Sequence, residues 1–374
     1  MKKVRFIGWR GMVGSVLIKS MIDESDFKNL EPYFFSTSQA GQKNPEWNIK
    51  YKNELLIDAY NIEELSKMDI VITCQGGEYT DKVFSKLRKS GWNGHWVDAA
   101  SSLRMKKDSV IVLDPINQLS IDEAYDKGIK NWVGGNCTVS LMLLAIHGLL
   151  KEDLVEWVSS MTYQAASGAG AKNMRELLLQ MGQIYSSVSD DLIQKDLNIL
   201  DIDGKAMALM NSGNFQKDNF KVPLAGNLIP WIDEDLNNGQ SREEWKGQSE
   251  TNKILSSGFK SIKVDGLCVR IGTMRSHAQA LTIKLKKNIP IETINKIISN
   301  GNQWVKLIQN DKKSSMNLLS PAAVSGKLDI AVGRIRKLDI EENCISVFTV
   351  GDQLLWGAAE PIRRMLKILI KKGR

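Results

Sequence analysis

The first third of the chain alternates between short apolar strands and amphipathic helices, and this alternation constrains the fold more than any other feature. Strands are predicted at 3–7, 33–35, 70–74, 95–97 and 110–113. Between the first two strands, apolar residues recur at helical spacing as far as Met21. Strands separated by helices pair in parallel, with helices on both faces of the sheet. We therefore predict an α/β fold with a Rossmann-type parallel sheet.

The pattern changes after about residue 135. A long helix is predicted from Cys137 through Leu150, an extended segment over 153–166, and a helix from about 171 to 184. Residues 265–287 and 328–350 each alternate over a long stretch, which is typical of an antiparallel sheet with one covered face. This part is predicted to be α+β with a largely antiparallel sheet. Residues 195–221 are polar and suggest a mobile surface insertion.

Composition argues against several other kinds of protein. The 374 residues carry 50 Lys and Arg against 43 Asp and Glu, and the net charge of +7 is modest for this length. Outside the extreme C-terminus no dense basic block indicates nucleic-acid binding. The cysteines form no Cys-x-x-Cys pair and the three histidines are scattered, so we expect neither a metal site nor disulfides. Without a signal-peptide pattern or an apolar run of about 18 residues, we expect a cytoplasmic enzyme with no membrane segment.

A glycine-rich turn follows the first predicted strand. It reads Gly8-Trp9-Arg10-Gly11-Met12-Val13-Gly14 and leads directly into a helix. Glycine lets the turn bend and lets backbone N–H groups approach a diphosphate at the helix N-terminus. The spacing differs from the usual G-x-G-x-x-G, so a tight turn without a ligand stays open as an alternative. The position, in the first strand-to-helix turn of a β-α-β chain, favours a dinucleotide.

The end of the second predicted strand indicates which dinucleotide is bound. NAD-binding folds usually place an acidic residue there to bind the ribose 2′-hydroxyl. The segment Phe34-Phe35-Ser36-Thr37-Ser38-Gln39 has no carboxylate. Its hydroxyl groups, together with Arg10, suit a 2′-phosphate, so we predict NADP as the cofactor.

Cys137 is the candidate nucleophile. The segment Gly134-Gly135-Asn136-Cys137-Thr138 separates a strand from an apolar helix, which places Cys137 at the helix N-terminus. The positive end of a helix dipole lowers the pKa of a thiol, so we expect a reactive thiolate. Cys74, Cys268 and Cys344 lie within or at the start of apolar strand patterns, as buried structural cysteines do.

A cysteine nucleophile needs a base, and His277 is the best of three candidates. His95 borders a predicted Rossmann-type strand, and His147 lies on the apolar helix that Cys137 begins. Taken alone, His277 would more often be structural. Its combination with Cys137 favours an acid/base role.

Taken together, these motifs resemble the aspartate-β-semialdehyde dehydrogenase family of Gram-negative bacteria. The resemblance runs nearly from end to end, although Ala169 stands where a third glycine is common. Beside the glycine-rich turn, the matching motifs are Cys74-Gln75-Gly76-Gly77, Ser101-Ser102-Leu103-Arg104, Gly135-Asn136-Cys137-Thr138, Tyr163-Gln164-Ala165-Ala166-Ser167-Gly168, Arg242-Glu243-Glu244-Trp245-Lys246, the Arg270/His277 segment and Gly351-Asp352-Gln353-Leu354-Leu355-Trp356.

The resemblance implies a homodimeric oxidoreductase that uses NADP. Such an enzyme reduces L-4-aspartyl phosphate to L-aspartate 4-semialdehyde and runs the reverse phosphorylating oxidation, through a thioester on Cys137 and hydride transfer. The reaction belongs to the aspartate-derived pathway to lysine and diaminopimelate, threonine and methionine. The implied domains are a Rossmann-like NADP-binding domain, 1–134 with 357–374, and a catalytic and dimerisation domain, 135–356.

The resemblance also implies the site residues. Cys137 attacks the acyl phosphate, His277 is the acid/base, and Gln164 positions the substrate and thioester. The substrate-binding residues are Arg104 and Lys246 for phosphate, Asn136 nearby, Glu243 for the amino group and Arg270 for the α-carboxylate. The NADP-binding residues are Arg10, Gly11, Met12, Val13, Thr37, Ser38, Gln75, Ser167, Gly168 and Gln353. A substrate that bears phosphate, carboxylate and ammonium does need two positive groups and one negative group.

Other interpretations remain open. A glyceraldehyde-3-phosphate or N-acetyl-glutamyl-phosphate dehydrogenase would also form a thioester, but neither explains Glu243 as a partner of an ammonium group. A non-catalytic NADP sensor would need neither Cys137 nor His277. Each charged residue, taken alone, is more often a solvated surface charge. Arg270 and His277 are also seven residues apart, which on one regular strand would place them on opposite faces unless Gly272 marks a bend.

Overall fold

Two seven-stranded sheets organise the protein in a computed structural model, which describes residues 1–194 and 196–373. The strands of the first sheet are β1 (Lys2–Ile7), β2 (Leu30–Ser36), β3 (Ile57–Asp58), β4 (Ile70–Thr73), β5 (His95–Asp98), β6 (Ser109–Val112) and β7 (Asn131–Gly134). Those of the second are β8 (Val155–Gln164), β9 (Leu228–Ile229), β10 (Lys263–Ile271), β11 (His277–Leu285), β12 (Val305–Leu307), β13 (Ile330–Leu338) and β14 (Glu341–Gly351).

Helices cover both sheets. Within the same described residues they are α1 (Met12–Asp23), α2 (Ile62–Ser66), α3 (Gly77–Lys89), α4 (Asp114–Asp126), α5 (Cys137–Lys151), α6 (Ala171–Ile193), α7 (Ile199–Met210), α8 (Arg242–Ile254), α9 (Ile291–Ser299), α10 (Lys312–Leu318), α11 (Pro321–Val324) and α12 (Glu360–Lys372). Short 3-10 turns occur at Asp26–Asn29 and Ala166–Ala169, and a π-helical turn at Leu355–Ala359 precedes α12.

The first sheet is parallel throughout, in the order β3-β2-β1-β4-β5-β7-β6. The strand order changes direction between β1 and β4, and in doubly wound sheets this point opens a crevice at the carboxyl ends of the strands. All four residues of β4 are buried, as expected for a parallel strand covered on both faces. The predicted α/β class with a Rossmann-type sheet is confirmed.

The second sheet is mixed and largely antiparallel, in the order β12-β13-β14-β11-β8-β10-β9. The central strand β8 pairs in parallel with β10 and antiparallel with β11. The alternating stretch 265–287 contains two strands, because the chain leaves β10, crosses the end of β8 and returns as β11. The run over 328–350 likewise divides into β13 and β14.

The crossing segment, 272–276, is held against the end of β8. Ala166 N donates to Thr273 O at 2.8 Å, and Ser167 N donates to Met274 O at 3.1 Å. Arg270 and His277 therefore lie on strands on either side of β8, and the opposite-face difficulty of a single strand does not arise.

Helix α5 is the centre of the core. All its residues from Thr138 to Leu150 are buried, because it packs against the second sheet and against α8 and α9. Its apolar sequence thus reflects burial within the protein. Across residues 1–194 and 196–373, no helix is both long enough and apolar enough to cross a bilayer.

Helix α6 is longer than predicted, and its side chains hydrogen-bond to the segment that follows it. Glu176 Oε2 accepts from Asn219 N at 2.6 Å and its Oε1 accepts from Phe220 N at 2.9 Å, while Gln180 Oε1 accepts from Leu224 N at 2.9 Å. The predicted surface insertion has regular structure over residues 199–221, which contain α7 and are hydrogen-bonded to α6; its mobility stays a prediction. Lys195 lies outside the described residues.

The last helix, α12, returns to the first sheet and packs on β5, β6 and β7. Its apolar face is buried, with Ile362, Met365, Leu366 and Leu369 all at most 2% exposed. The neighbouring Arg364 donates from Nε to Asp114 Oδ1 at 2.7 Å, which fastens α12 to the start of α4.

Candidate active site

The glycine-rich turn leads from β1 into α1 at the crevice of the first sheet. Gly8 has φ +71°, and a Cβ there would lie 2.5 Å from the backbone of Gln75. A Cβ on Gly14 would lie 2.1 Å from Gly8 O. No side chain caps the N-terminus of α1, so its first N–H groups remain available to a phosphate. These features fit a bound dinucleotide.

Arg10 and the end of β2 form a polar cluster beside this turn. Arg10 Nη2 lies 3.0 Å from Ser38 Oγ and 3.5 Å from Ser36 Oγ. Arg10 and Ser38 are exposed, and Thr37 between them is half-buried. One cation surrounded by hydroxyl groups suits a 2′-phosphate, whereas a carboxylate in this position would repel one.

The other predicted cofactor residues lie in two groups. Met12 and Val13 form the first turn of α1 after Gly11, and Gln75 follows β4 at the same edge of the sheet. Ser167, Gly168 and Gln353 lie beside the second sheet, where Gln353 Nε2 donates to Ser167 Oγ and Gln353 Oε1 accepts from Ser276 N at 2.7 Å.

A pocket of ≈380 Å³ lies between the two sheets. It brings together seven of the eight predicted catalytic and substrate-binding residues, which are Arg104, Asn136, Cys137, Gln164, Glu243, Lys246 and Arg270. Ser101, Gly168, Ile232, Asp233 and Gly357 complete its lining. The eighth predicted residue, His277, lies directly behind this wall, since a Cβ on Gly168 would be 3.0 Å from His277 Nε2.

Asn136 places Cys137 at the first position of α5. The Asn136 side chain caps the helix, with Oδ1 accepting from Thr138 N at 2.9 Å and Val139 N at 3.1 Å. A residue in this role satisfies the otherwise unpaired N–H groups of the first turn. The predicted position of Cys137 at the helix N-terminus is confirmed.

The prediction of a low pKa for the Cys137 thiol is wrong. Burial and the charge of Glu243 raise the pKa of the thiol to about 12. The positive charges of Arg270, Arg104 and Lys246 lower the pKa, but by less than burial and Glu243 raise it. A thiol with this pKa is protonated at neutral pH, so a nucleophilic role would require removal of its proton.

His277 is held as a neutral ring with a defined tautomer. Ala165 N donates to its Nδ1 at 3.1 Å, so the neutral imidazole carries its proton on Nε2. Nε2 is buried and has no hydrogen-bond partner among the described residues. Burial and the charge of Arg270 lower the pKa of His277 to about 3, which keeps the ring neutral at physiological pH.

Glu243 and Lys246 form the charged floor of the pocket. Glu243 Oε1 accepts from Asn136 Nδ2 at 2.9 Å and Gln164 Nε2 at 3.1 Å, and its Oε2 lies 3.0 Å from Lys246 Nζ. Burial alone would raise the pKa of Glu243, but Lys246 and the two amides outweigh it and hold the pKa below its usual value. Lys246 also lies 2.6 Å from Asp233 Oδ2.

Arg270 completes the set of charged groups. Its Nη1 donates to Ala165 O at 2.8 Å, and the residue pairs in register with Gln164 across β8 and β10. Burial lowers the pKa of Arg270, while Cys137 and Glu243 act against this shift. The pocket thus has three cations, Arg104, Lys246 and Arg270, around the sulfur of Cys137.

Comparison with known proteins places the chain in a family. A family model described as "Semialdehyde dehydrogenase, NAD binding domain" matches residues 3–124, and one described as "Semialdehyde dehydrogenase, dimerisation domain" matches residues 146–356. An aspartate semialdehyde dehydrogenase from Francisella tularensis is 52% identical with a TM-score of 0.94, over 99% of this chain and 100% of that one. The chain belongs to the aspartate-semialdehyde dehydrogenase family.

More distant structures share the fold of this family. Aspartate semialdehyde dehydrogenase II from Vibrio cholerae, complexed with ASA, is 22% identical with a TM-score of 0.79, over 99% of this chain and 98% of that one. The enzyme from Candida albicans, with NADP, is 17% identical with a TM-score of 0.67, over 100% of this chain and 99% of that one. The resemblance found in the sequence is confirmed, and the chain is an oxidoreductase with an NAD(P)-binding domain.

Sequence reasoning missed two acidic residues, Asp233 in the lining of the pocket and Glu250 behind it. Asp233 lies in a loop, at φ +74°, and no periodic pattern marks it. Glu250 lies seven residues after Glu243 on α8, and that spacing places both on one face of a helix. The spacing was therefore a usable signal for Glu250.

Proposed function

We propose that this protein reduces L-4-aspartyl phosphate to L-aspartate 4-semialdehyde with NADPH and catalyses the reverse phosphorylating oxidation. The observation that carries the proposal is the position of Cys137, at the start of α5 in a pocket with three cations and Glu243. Family membership and the 52% identical aspartate semialdehyde dehydrogenase support the same reaction. The reaction would supply the pathway to lysine and diaminopimelate, threonine and methionine, in the cytoplasm.

In the proposed reaction the Cys137 sulfur attacks the acyl carbon of the substrate. A C–S bond forms, the C–O bond to phosphate breaks, and the thiol proton leaves with the phosphate. The nicotinamide of bound NADPH supplies the hydride that the thioester carbon then receives. When the C–S bond breaks, the aldehyde is released and the sulfur takes up a proton.

His277 is proposed as the acid of these steps. The base role predicted for it does not fit a ring whose Nδ1 accepts from Ala165 N and whose Nε2 carries the proton. Its Nε2–H group, fixed by the hydrogen bond from Ala165 N to Nδ1, would donate to the carbonyl oxygen of the thioester as negative charge develops there. A neutral donor in a buried site stabilises such an oxyanion strongly. Gln164 lies beside this position and would help to orient the thioester.

The charged groups of the pocket would recognise the rest of the substrate. Arg104 and Lys246 would bind the phosphate, with Asn136 beside it, and Arg270 would bind the α-carboxylate through its planar guanidinium. Glu243 would accept the α-ammonium group. This arrangement matches each charge of a free amino-acid phosphate with an opposite charge.

The cofactor and assembly complete the proposal. Arg10, Thr37 and Ser38 would bind the 2′-phosphate of NADP, while Gly11, Met12, Val13, Gln75, Ser167, Gly168 and Gln353 would line the remainder of the site. Residues 1–134 with 357–374 would form the NADP-binding domain, and residues 135–356 the catalytic domain and the interface of a homodimer.

An assay in the oxidative direction tests the proposal. With L-aspartate 4-semialdehyde, the protein should reduce NADP only when inorganic phosphate or arsenate is present, and NAD should be a poorer substrate. Reduction without phosphate, or turnover of the N-acetylated semialdehyde alone, would contradict the proposed reaction.

A further inference from the structure

Glu250 is a buried carboxylate behind the pocket, and it joins two parts of the site that are distant in sequence. It is 2% exposed. Its Oε1 accepts from Arg104 Nη1 at 3.1 Å, and its Oε2 accepts from Asn136 N at 2.7 Å. One carboxylate from α8 thus holds both the arginine that follows β5 and the backbone next to Cys137.

The first consequence concerns the guanidinium of Arg104. Its Nε donates to Gly134 O at 2.7 Å, and its Nη1 is held by Glu250. Two anchors fix the plane of the group, and within residues 1–194 and 196–373 its Nη2 makes no hydrogen bond. Because Arg104 lines the pocket, Nη2 is the donor left for an anion.

The second consequence concerns the start of α5. Asn136 caps this helix through Oδ1 and contacts Glu243 through Nδ2. Because Glu250 also fixes its backbone N–H, Asn136 is held by hydrogen bonds to both its backbone and its side chain. Cys137 is the next residue, so Glu250 also fixes the distance between the nucleophile and Arg104.

A neighbouring carboxylate shows that burial on α8 does not by itself create this arrangement. Glu244 is also buried, but its Oε2 accepts from Ser241 N at 2.7 Å in the capping box and its Oε1 accepts from Cys268 N at 3.2 Å. It contacts neither Arg104 nor Asn136. Glu244 stabilises the fold next to the pocket, and Glu250 is directed at the pocket's anion-binding side.

We infer that Glu250 is a positioning residue that orients Arg104 for the phosphate of the substrate and sets its distance from Cys137. The inference rests on the proposed function, in which Arg104 binds that phosphate. Glu250 does not touch the substrate in this account. It acts by removing the rotational freedom of the guanidinium before phosphate arrives.

The test compares Glu250→Gln with Glu244→Gln in the phosphate-dependent assay. A glutamine offers one acceptor and one donor, so it cannot accept from both Arg104 and Asn136. The KM for phosphate should rise about tenfold or more, in line with the loss of one charge-assisted hydrogen bond, while the KM for NADP stays within about twofold of wild type. Glu244→Gln should lower the melting temperature and leave the KM for phosphate unchanged.

The direction in which the KM for phosphate changes distinguishes a positioning role of Glu250 from a purely electrostatic one. If Glu250 acted only through its charge, removing that negative charge would lower the KM for phosphate, and this outcome would overturn the inference. So would equal effects of the two variants. Glu250→Asp keeps the charge, but its side chain is too short to reach both Arg104 and Asn136, so the KM for phosphate should also rise. This variant provides the test if Glu250→Gln does not fold. A wild-type protein without phosphate dependence would instead overturn the proposed function.

Discussion

The carboxylate of Glu243 already has hydrogen-bond partners within its own pocket. Both of its oxygens are used, by Asn136, Gln164 and Lys246. Lys246 in turn lies between Glu243 and Asp233. A substrate with its own phosphate and ammonium group would exchange these internal pairs for contacts with itself, so the cost of breaking them is offset. In the proposed function, recognition of the substrate would therefore depend on pairing each of its charged groups with an opposite charge of the pocket.

Replacing Glu243 by Gln tests whether this carboxylate recognises the ammonium group. Removal of one partner from a buried charge pair typically costs on the order of 2–5 kcal/mol, so kcat/KM for L-aspartate 4-semialdehyde should fall by roughly thirtyfold or more. NADP affinity should stay close to wild type. The wild-type protein should also reject the N-acetylated semialdehyde, which has no ammonium group. Steady-state kinetics with both substrates makes the comparison.

Glu234→Gln is the matched control for this experiment. Glu234 is exposed and pairs with Arg242 at the start of the same helix, and it does not line the pocket. Its replacement should leave kcat/KM unchanged. If Glu243→Gln behaves like this control, or if wild type uses both semialdehydes equally well, Glu243 does not bind the ammonium group.

Among the elements, the β1–α1 turn is where local sequence and structure agree most closely. Gly8 and Gly14 approach neighbouring backbone so closely that no other residue fits. The turn leaves the N-terminus of α1 uncapped and sets Arg10 beside the hydroxyl groups that follow β2. In the proposed function, this turn would bind the diphosphate, and Arg10 with the adjacent hydroxyl groups would discriminate the 2′-phosphate.

Arg10→Ala should weaken NADP more than NAD, because only NADP carries a 2′-phosphate. Loss of one charge-assisted contact predicts a rise of about tenfold in the KM for NADP. Lys19→Ala is the control. It removes an exposed cation on α1 that pairs with Asp23, and it should leave the KM values for NADP and NAD unchanged. Equal losses for both cofactors in Arg10→Ala would exclude Arg10 from the 2′-phosphate site.

The elements also mark the limits of reasoning from sequence. The first sheet and the start of α5 could be predicted because glycine turns and strand–helix periodicity are local. The crossing at 272–276 could not, because alternation of side chains looks the same in one strand as in two. The pKa of Cys137 was misjudged for a related reason. The helix dipole is a local property, whereas burial and the nearby Glu243 depend on how α5 and α8 pack.

Across the whole molecule, buried histidines should link stability to pH. Burial lowers the pKa of His147 to about 4 and that of His277 to about 3, from a usual 6.5. Below pH 6.5 these histidines therefore bind more protons in the unfolded chain than in the folded protein. The free energy of unfolding is highest above pH 6.5 and decreases as the pH falls. At pH 5 the loss is roughly 2 kcal/mol for each histidine.

Asp98 acts in the opposite direction over the same range. Burial raises its pKa to about 6, from a usual 3.8, so its unfavourable contribution shrinks by about 1 kcal/mol between pH 7 and pH 5. The free energy of unfolding should still fall on acidification, as measured by denaturant titration at pH 7, 6 and 5. His147→Gln should flatten this dependence. A stability that rises towards pH 5 would contradict the assignment of neutral buried histidines.

The proposed reaction passes through an acyl group on Cys137, and mass spectrometry can detect that group. The protein is mixed rapidly with L-4-aspartyl phosphate without reduced cofactor, quenched in acid, digested and searched for a thioester. We expect an aspartyl adduct on the peptide that carries Cys137 and none in Cys137→Ser. That variant should fold but lose nearly all turnover, because its hydroxyl is a much weaker nucleophile. An adduct on Cys268 or Cys74, or an active Cys137→Ser protein, would contradict the proposed reaction.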